Sequence, residues 1–475
     1  MDKIRTRFPP SPTGPFHMGS ARTALFNYLF AKKHGGKFIL RIEDTDKERS
    51  SKEWETDIVE NLKWLGLKHD EGPERQSERT AIYKAYLEKL FEQKKVYYCF
   101  CTEEELDAQR QEQMSRGEAP RYKGTCKNIE FQEAQKKIGE GKSAVIRFIS
   151  EPKLISFHDI IRGEVKFDSA LLGDFVIAKD LDNALYNFTV VVDDQKMNIT
   201  HVIRGEDHIS NTPKQILLQE ALGFRQPQYA HLPLILAEDR SKLSKRHGDN
   251  SVTRFRNEGY LPEAIINFLV LLGWNPGDNR EVFSLEELVK EFSLERVQKA
   301  GAIFNLKRLD WINGFYIRKL PIDKLAELCL PYLKNAEQEV PFQTLQEIAA
   351  LHQERLKKLS EIAEVADFFF KKELQYPKSM LLWKQYTKED TAKSLNTLEV
   401  TLSALEEKEW NREKLSEVLL QKAEEVGDKG YLLWPMRVAL TGKQASAGPF
   451  EVAAILGKEK TLQRISKAKQ LLDEP

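Results

Sequence analysis

His17-Met18-Gly19-Ser20 ends a turn-rich stretch, Ser11-Pro12-Thr13-Gly14-Pro15-Phe16, and runs into apolar positions Leu25, Phe26, Leu29 and Phe30 at helical spacing. A glycine-containing turn that opens a helix presents unpaired backbone N–H groups at the positive end of the helix dipole, an anion site. Gly19 would let a planar ring or a phosphate approach the backbone, and His17 at the lip can donate a hydrogen bond to a phosphoryl oxygen. Far along the chain, Lys242-Leu243-Ser244-Lys245-Arg246 lies in a segment with six basic residues (Arg240, Lys242, Lys245, Arg246, Arg254, Arg256) against Asp249. Two lysines three apart in a serine-bearing loop suit a triphosphate clamp. Alone, the first motif reads more readily as a capped helix with an incidental histidine and the second as a solvated basic loop; together, in this order and separation, they favour phosphate chemistry.

A third group is Cys99-x-Cys101 followed by Cys126, with Tyr122 just before it. Thiolates suit zinc, which takes four ligands. No histidine follows Cys126, so the fourth ligand would be Tyr122, a water or another group; three uncomplexed thiols are the alternative. Cys329 reads as a core residue. The acidic run Glu43-Asp44-x-Asp46 suits a metal poorly, because adjacent residues of a strand face opposite ways, and Asp44 and Asp46 are expected to cap the next helix.

The elements that position these residues change character along the 475-residue chain. Up to about Arg308, β-type runs alternate with helical patterns. The runs are 38–42, 145–148, 174–178 and Val190-Val191-Val192 within 184–194; the helical patterns include Ile58, Leu62, Leu65 and Ile82, Tyr86, Leu90. This alternation predicts an α/β domain with a parallel sheet. From about Ser284 onward the chain reads as helix, with capping boxes expected at Ser284–Glu287 and Thr344–Glu347 and with Gly427 and Gly430 closing a helix. The N-terminus is charged and has no signal-like apolar core, no stretch is apolar enough to span a membrane, and four cysteines are too few for a disulfide scaffold, so a cytoplasmic protein is expected. Lys and Arg number 73, as do Asp and Glu, which at first argues against a polyanionic partner.

His17-Met18-Gly19-Ser20 and Lys242 to Arg246 resemble the HIGH and KMSKS signatures of class I aminoacyl-tRNA synthetases. Arg7 to Gly14, Arg41 to Asp46, Val191 to Asp194, Val202 to His208 and Arg437 to Gly442 resemble the bacterial glutamyl-tRNA synthetases specifically, over the whole chain. The resemblance implies a Rossmann-like catalytic domain (1–96 and 184–238) interrupted by an α+β acceptor-end-binding domain with a zinc site (97–183). A stem-contact region (239–320) and an all-α anticodon-binding region (321–475) would follow. It implies ATP binding by His17, Gly19, Asp207, Lys242, Leu243, Ser244, Lys245 and Arg246, with His17, Lys242 and Lys245 stabilising charge on the phosphates and Mg²⁺ accompanying ATP. Glutamate would be held by Arg7, Ser11, Glu43, Tyr186 and Arg204: guanidinium forks for carboxylates, Glu43 for the ammonium, hydroxyls for the remaining oxygens. Val190 stands where some relatives carry a polar substrate contact. Cys99, Cys101, Tyr122 and Cys126 would hold one structural Zn²⁺, and Arg116, Arg121, Lys123 and Lys127 are candidate phosphate contacts to the acceptor end.

Arg355 falls where the family reads the third anticodon base. The implied partners are tRNA(Glu), ATP and L-glutamate, with no membrane and a monomeric chain; the implied function is glutamate–tRNA ligation through a glutamyl-adenylate. Two rivals stand beside it: an RNA-independent adenylyl-transfer enzyme on a small acid, and a catalytically inactive tRNA-binding paralogue. Zero net charge then becomes an average over a basic 240–256 segment and an acidic stretch, 397–430, expected on a distal helical surface.

Overall fold

In the computed structural model the first three strands, β1 (Arg5–Phe8), β2 (Lys37–Ile42) and β3 (Glu71–Arg75), pair in parallel in the order β1-β2-β3. The crossovers are α1 (Met18–Lys33) and α2 (Lys52–Trp64). The structure describes residues 3–333 and 340–474, and of Lys245 the backbone alone. Helix α1 buries Leu25, Phe26, Leu29 and Phe30, the positions predicted from spacing, together with Met18 and Ala21, and ends on Lys32 and Lys33, whose charges favour a helix C-terminus.

The chain divides into two compact units, Met1–Arg256 with Pro262–Leu309, and Asn257–Leu261 with Asp310–Pro475. In the first, α3 (Thr80–Glu92) leads to β4 (Val96–Cys99). Helices α4 (Glu103–Ser115) and α5 (Phe131–Gly139) precede β5 (Val145–Phe148), and β4-β5 with β8 (Phe175–Ala178) form an antiparallel sheet. Between them, β6 (Leu154–Asp159) and β7 (Gly163–Asp168) make a hairpin. The hairpin lies inside 97–183 yet continues another sheet: β6 pairs in parallel with β10 (Gln228–Leu232), which pairs in parallel with β9 (His201–Gly205). Strands β1 and β9 adjoin, with the Thr200 N–H donating to Arg5 O at 3.0 Å.

The run Val190-Val191-Val192, predicted as a strand, is instead the middle of α6 (Tyr186–Lys196). Residues Phe188 to Asp194 are all buried in it, and a short run buried all round carries no period that separates strand from helix. The helical form is fixed by long-range pairing. Asp193 accepts from Gln76, Arg79 and Tyr83 at 2.9, 2.8 and 2.7 Å, and Asp194 meets Arg7 and Arg41. These bonds override the β preference of valine. Helix α7 (Thr212–Leu222) then crosses to β10 and stops at Gly223, whose φ of 70° is left-handed.

The expected capping box at Ser284 forms: Ser284 Oγ accepts from Glu287 N–H, and the Glu287 carboxylate accepts from Ser284 N–H. The second unit is helical, as expected. Its helix Phe342–His352 starts earlier than the sequence suggested, on Pro341, so Thr344 is already inside the first turn and caps nothing. Gly427 closes helix Arg412–Val426 with φ 82°, whereas Gly430 lies in the first turn of the next helix, Lys429–Thr441. A Cβ there would sit 2.2 Å from the Trp383 indole nitrogen, so packing rather than helix termination demands glycine. Among the described residues no helix is long and apolar enough to cross a membrane.

Candidate active site

The His17 turn is stitched by backbone to the segment that follows the basic motif, more than two hundred residues away. Met18 N–H donates to Asn250 O at 3.0 Å, Val252 N–H to Phe16 O at 2.8 Å, and His17 forms an antiparallel bridge with Ser251. Asp57 of α2 locks the turn from below, accepting from Phe16 N–H at 2.7 Å and from the Thr253 hydroxyl at 2.5 Å. His17 is the N-cap of α1: its Nδ1 accepts from Ser20 N–H at 3.2 Å. That bond leaves the proton on Nε2, which meets the Ser20 hydroxyl at 3.1 Å. A Cβ on Gly19 would lie 3.2 Å from the His17 ring, so glycine also makes room for the imidazole.

This corner belongs to a cleft of about 1760 Å³ in the first unit. Its lining includes Arg7, Ser11, His17, Gly19, Glu43, Tyr186, Arg204, Asp207, Lys242, Leu243 and Ser244, all drawn from the sequence expectation. Arg246 is exposed and is not among the lining residues; the Lys245 side chain lies outside the described part of the structure. Lys242 rests on Asp207, Nζ to Oδ2 2.9 Å. Burial raises the Asp207 carboxyl, but the Lys242 hydrogen bond and His208 outweigh it and hold it below the usual range. A Cβ on Gly205 would sit 2.5 Å from Asp207 Oδ1, so the preceding glycine gives that carboxylate its place. His247, which sequence reasoning passed over, organises the basic loop by accepting from Ser244 N–H at 3.2 Å and meeting the Ser241 hydroxyl at 3.2 Å.

The opposite wall is a buried charge lattice. Arg7 Nε donates to Asp194 at 3.2 Å; Arg41 reaches Asp194 at 2.7 Å and Glu43 at 3.1 Å. Arg204 donates through Nη2 to the Thr212 hydroxyl at 2.7 Å. Three buried nitrogens of this lattice lack a hydrogen bond: Arg41 Nε, 3.9 Å from Asp193, and Nη1 of Arg7 and of Arg204, the two arginines that line the cleft. Buried guanidinium N–H groups without partners are costly, so two of them on one cleft wall mark a place for an anion. Burial raises the Glu43 carboxyl against the pull of Arg41, and it lowers His208 to about 4, so His208 is neutral near pH 7. His208 Nδ1 meets Tyr186 OH at 3.1 Å and positions that phenol. Ser11 donates to the Glu43 carbonyl at 3.0 Å and so braces Glu43. Val190 is packed in the core, away from the cleft lining.

The acidic run is neither a metal site nor a helix cap. Asp44 accepts from Ser77 N–H and Oγ at 2.8 and 2.6 Å, Asp46 pairs with Arg49 at 2.6 Å, and Ser51 caps α2. Among the described residues the metal-type cluster is Cys99, Cys101 and Cys126.

Residues 3–311 match the family described as tRNA synthetases class I (E and Q), catalytic domain, and residues 324–469 match an anticodon binding domain. Glutamate–tRNA ligase 1 of Caldicellulosiruptor saccharolyticus is 48% identical over 98% of both chains, and glutamate–tRNA ligase 2 of Thermoanaerobacter pseudethanolicus is 45% identical over 98% of both. The crystal structure of a glutamate tRNA ligase from Elizabethkingia meningosepticum in complex with its amino acid superimposes with a TM-score of 0.89. It is 36% identical, covering 99% of this chain and 100% of that one. The chain belongs to the glutamate–tRNA ligase family.

In this synthetase the three thiols gather around Tyr122. The Cys99 and Cys101 sulfurs lie 3.3 and 3.4 Å from the phenol oxygen, Cys101 and Cys126 Sγ are 3.7 Å apart, and Cys126 N–H donates to the phenol at 3.0 Å. Two thiolates bound to one tetrahedral zinc lie about 3.8 Å apart, so the donor set fits that ion. The Arg147 guanidinium covers the Tyr122 ring at 3.9 Å. The basic residues proposed for the acceptor end are engaged within the unit: Arg116 and Lys123 with Glu112, Lys127 with Asp174, and Arg121 with the Ala170 carbonyl. In the helical unit Arg355 is exposed, with Nη1 3.4 Å from the Ser446 carbonyl that Arg437 also binds at 2.7 Å.

Proposed function

We propose that this synthetase binds L-glutamate between Arg7 and Arg204, activates it with ATP as glutamyl-adenylate, and transfers the glutamyl group to the 3′ end of tRNA(Glu). The reading rests on the two unpaired Nη1 groups beside Glu43, on the cleft that also holds the His17 turn and Lys242. A substrate with carboxylates and one ammonium satisfies both guanidiniums and Glu43 together. Glutamine leaves a guanidinium without its counter-charge, which is the basis of discrimination.

The chemistry is in-line attack of a substrate carboxylate oxygen on the α-phosphorus, with pyrophosphate leaving; a ribose hydroxyl then displaces AMP from the mixed anhydride. Positioning and charge stabilisation carry both steps. His17 exchanges the Ser20 hydroxyl for phosphate at Nε2, the N–H groups of Gly19 and its neighbours face the anion, and Lys242 exchanges Asp207 for phosphate as ATP binds. Lys245 joins it from the same loop. Mg²⁺ bound to the nucleotide would lower its charge. Cys99, Cys101, Cys126 and Tyr122 would hold one structural zinc that ties the end of β4 to the 122–126 turn. Residues 97–183 serve the acceptor end, 239–320 the stem, and 321–475, through Arg355, the anticodon. The chain acts as a cytoplasmic monomer. Pyrophosphate exchange with tRNA(Glu) present tests the activation step: exchange with glutamate but not glutamine supports the reading, and equal exchange with both contradicts it.

A further inference from the structure

Arg204 on β9 and His231 on β10 are cross-strand partners in a parallel pair, and Tyr229, two residues before His231, is paired with Asp159 at the end of β6. The register brings three polar side chains into one buried line. Asp159 and His231 are both 0% exposed, with Asp159 Oδ2 2.6 Å from His231 Nδ1. Neither lines the cleft.

The hydrogen bonds fix where the proton sits. Asp159 already accepts from the backbone N–H groups of Ile161, Arg162 and His231 at 3.0, 2.8 and 3.0 Å, which suits a carboxylate and leaves it only an acceptor toward the ring. His231 Nδ1 therefore carries the hydrogen, and Nε2 presents a lone pair. That lone pair faces two donors, Arg204 Nε–H at 3.2 Å and the Thr212 hydroxyl at 3.0 Å. Burial drives the imidazole below its ordinary pKa; Asp159 opposes this, and the Arg204 and Arg162 guanidiniums reinforce it, so the ring stays neutral. With Nε and Nη2 both engaged, Arg204 is held at two points and Nη1 is the group left over.

We propose that Asp159 and His231 are positioning residues for amino-acid recognition: Asp159 sets the imidazole so that Nε2 accepts from Arg204 and aims its remaining N–H at a substrate carboxylate. The proposal rests on the reading of Arg204 as a glutamate-binding group. It makes a strand of the segment inserted before α6 part of the specificity apparatus, although it never touches substrate.

The test exploits the tautomer. In Asp159→Asn the amide oxygen can keep the backbone N–H groups while its NH₂ faces Nδ1. The imidazole proton then moves to Nε2, where it opposes the Arg204 N–H donor to donor. The expected result is a glutamate KM raised about tenfold or more, with ATP KM changed by less than about threefold and the melting curve close to that of the parent. In His231→Gln the side-chain oxygen can take the place of Nε2, and no tautomer remains to be reversed. Its KM should stay within about threefold of the parent, and Asp159→Asn added to it should cost nothing further, a non-additivity that a purely structural role would not give.

Arg204→Ala separates the two claims. If it leaves glutamate KM unchanged, the glutamate role of Arg204 falls and the relay with it. If it raises KM while Asp159→Asn does not, or if the Asn lesion persists undiminished in the double variant, only the relay is overturned. Should Asp159→Asn fail to fold, His231→Leu against His231→Gln decides: a KM at least about tenfold higher for leucine supports the relay, and equal values overturn it.

Discussion

Arg7→Lys separates two jobs of one guanidinium. Arg7 spends Nε on Asp194, at 3.2 and 3.4 Å to its two oxygens, and its Nη1 stays buried and unpaired on a residue that lines the cleft. A lysine has a single ammonium that can sit on Asp194 or turn to substrate, but it cannot hold the planar fork that does both. The lost term is one charge-assisted hydrogen bond in a dry site, ~1.5–3 kcal/mol, or about 10- to 150-fold in affinity. Because the carboxylate is bound alike in ground and transition states, the loss should appear in glutamate KM with kcat nearly unchanged.

The pH dependence adds a second signature. Burial lowers the Arg7 pKa more than Asp194 raises it. A lysine in that place starts from about 10.4 and can be lowered by up to ~3–5 units. Its charge is then regained as pH falls, so the KM defect of Arg7→Lys should shrink from about pH 8.5 to about pH 6.5, while the arginine enzyme shows no such trend. The assay is steady-state aminoacylation with glutamate varied at saturating ATP and tRNA. An unchanged glutamate KM in a folded variant, or a defect confined to ATP, would refute the reasoning.

Three further outcomes are expected. Lys245→Ala should lower tRNA-dependent pyrophosphate exchange at least about tenfold with an unchanged circular dichroism spectrum, since one phosphate-neutralising charge is removed. Cys126→Ser should lose one equivalent of zinc by elemental analysis of untagged protein and melt at lower temperature; a parent protein without zinc removes the claim. Glu71 is held at about 2, below its ordinary 4.5, by hydrogen bonds from Arg5 and Lys37. A depressed carboxyl stabilises the fold above its unfolded pKa and ceases to do so as pH falls through its folded one. The melting-temperature gap between the parent and Glu71→Gln should therefore be full near pH 7 and close between about pH 4.5 and about pH 2.

The parts of the site that local chemistry dictates were legible in the chain. The His17 turn is a helix start with nowhere else to put its N–H groups, and the basic loop is a local excess of charge. Arg7, Glu43 and Arg204 stood out through the resemblance to the glutamyl-tRNA synthetases, and their types match a dicarboxylate amine. What was not legible depends on partners far away in sequence: Asp194 with Arg7 and Arg41, Asp159 with His231, and Asp57 with Phe16 and Thr253. Each side chain is unremarkable on its own, and only the fold brings the partners within 3.2 Å. Helix α6 shows the same limit from the other side. Three valines favour a strand locally, but Asp193 and Asp194 at the end of that run are claimed by arginines, a glutamine and a tyrosine from three other segments, and those bonds need the helix. The capping boxes divide likewise: Ser284 has no competitor upstream, whereas Pro341 starts its helix before Thr344 can.

The measurement closest to the central claim is aminoacylation of purified tRNA(Glu) and tRNA(Gln) with labelled glutamate and with labelled glutamine. Two buried guanidiniums beside Glu43 predict that glutamate is attached to tRNA(Glu) and that glutamine is attached to neither tRNA. Charging with glutamine at a comparable rate, or adenylate formation without transfer to either tRNA, would contradict the account.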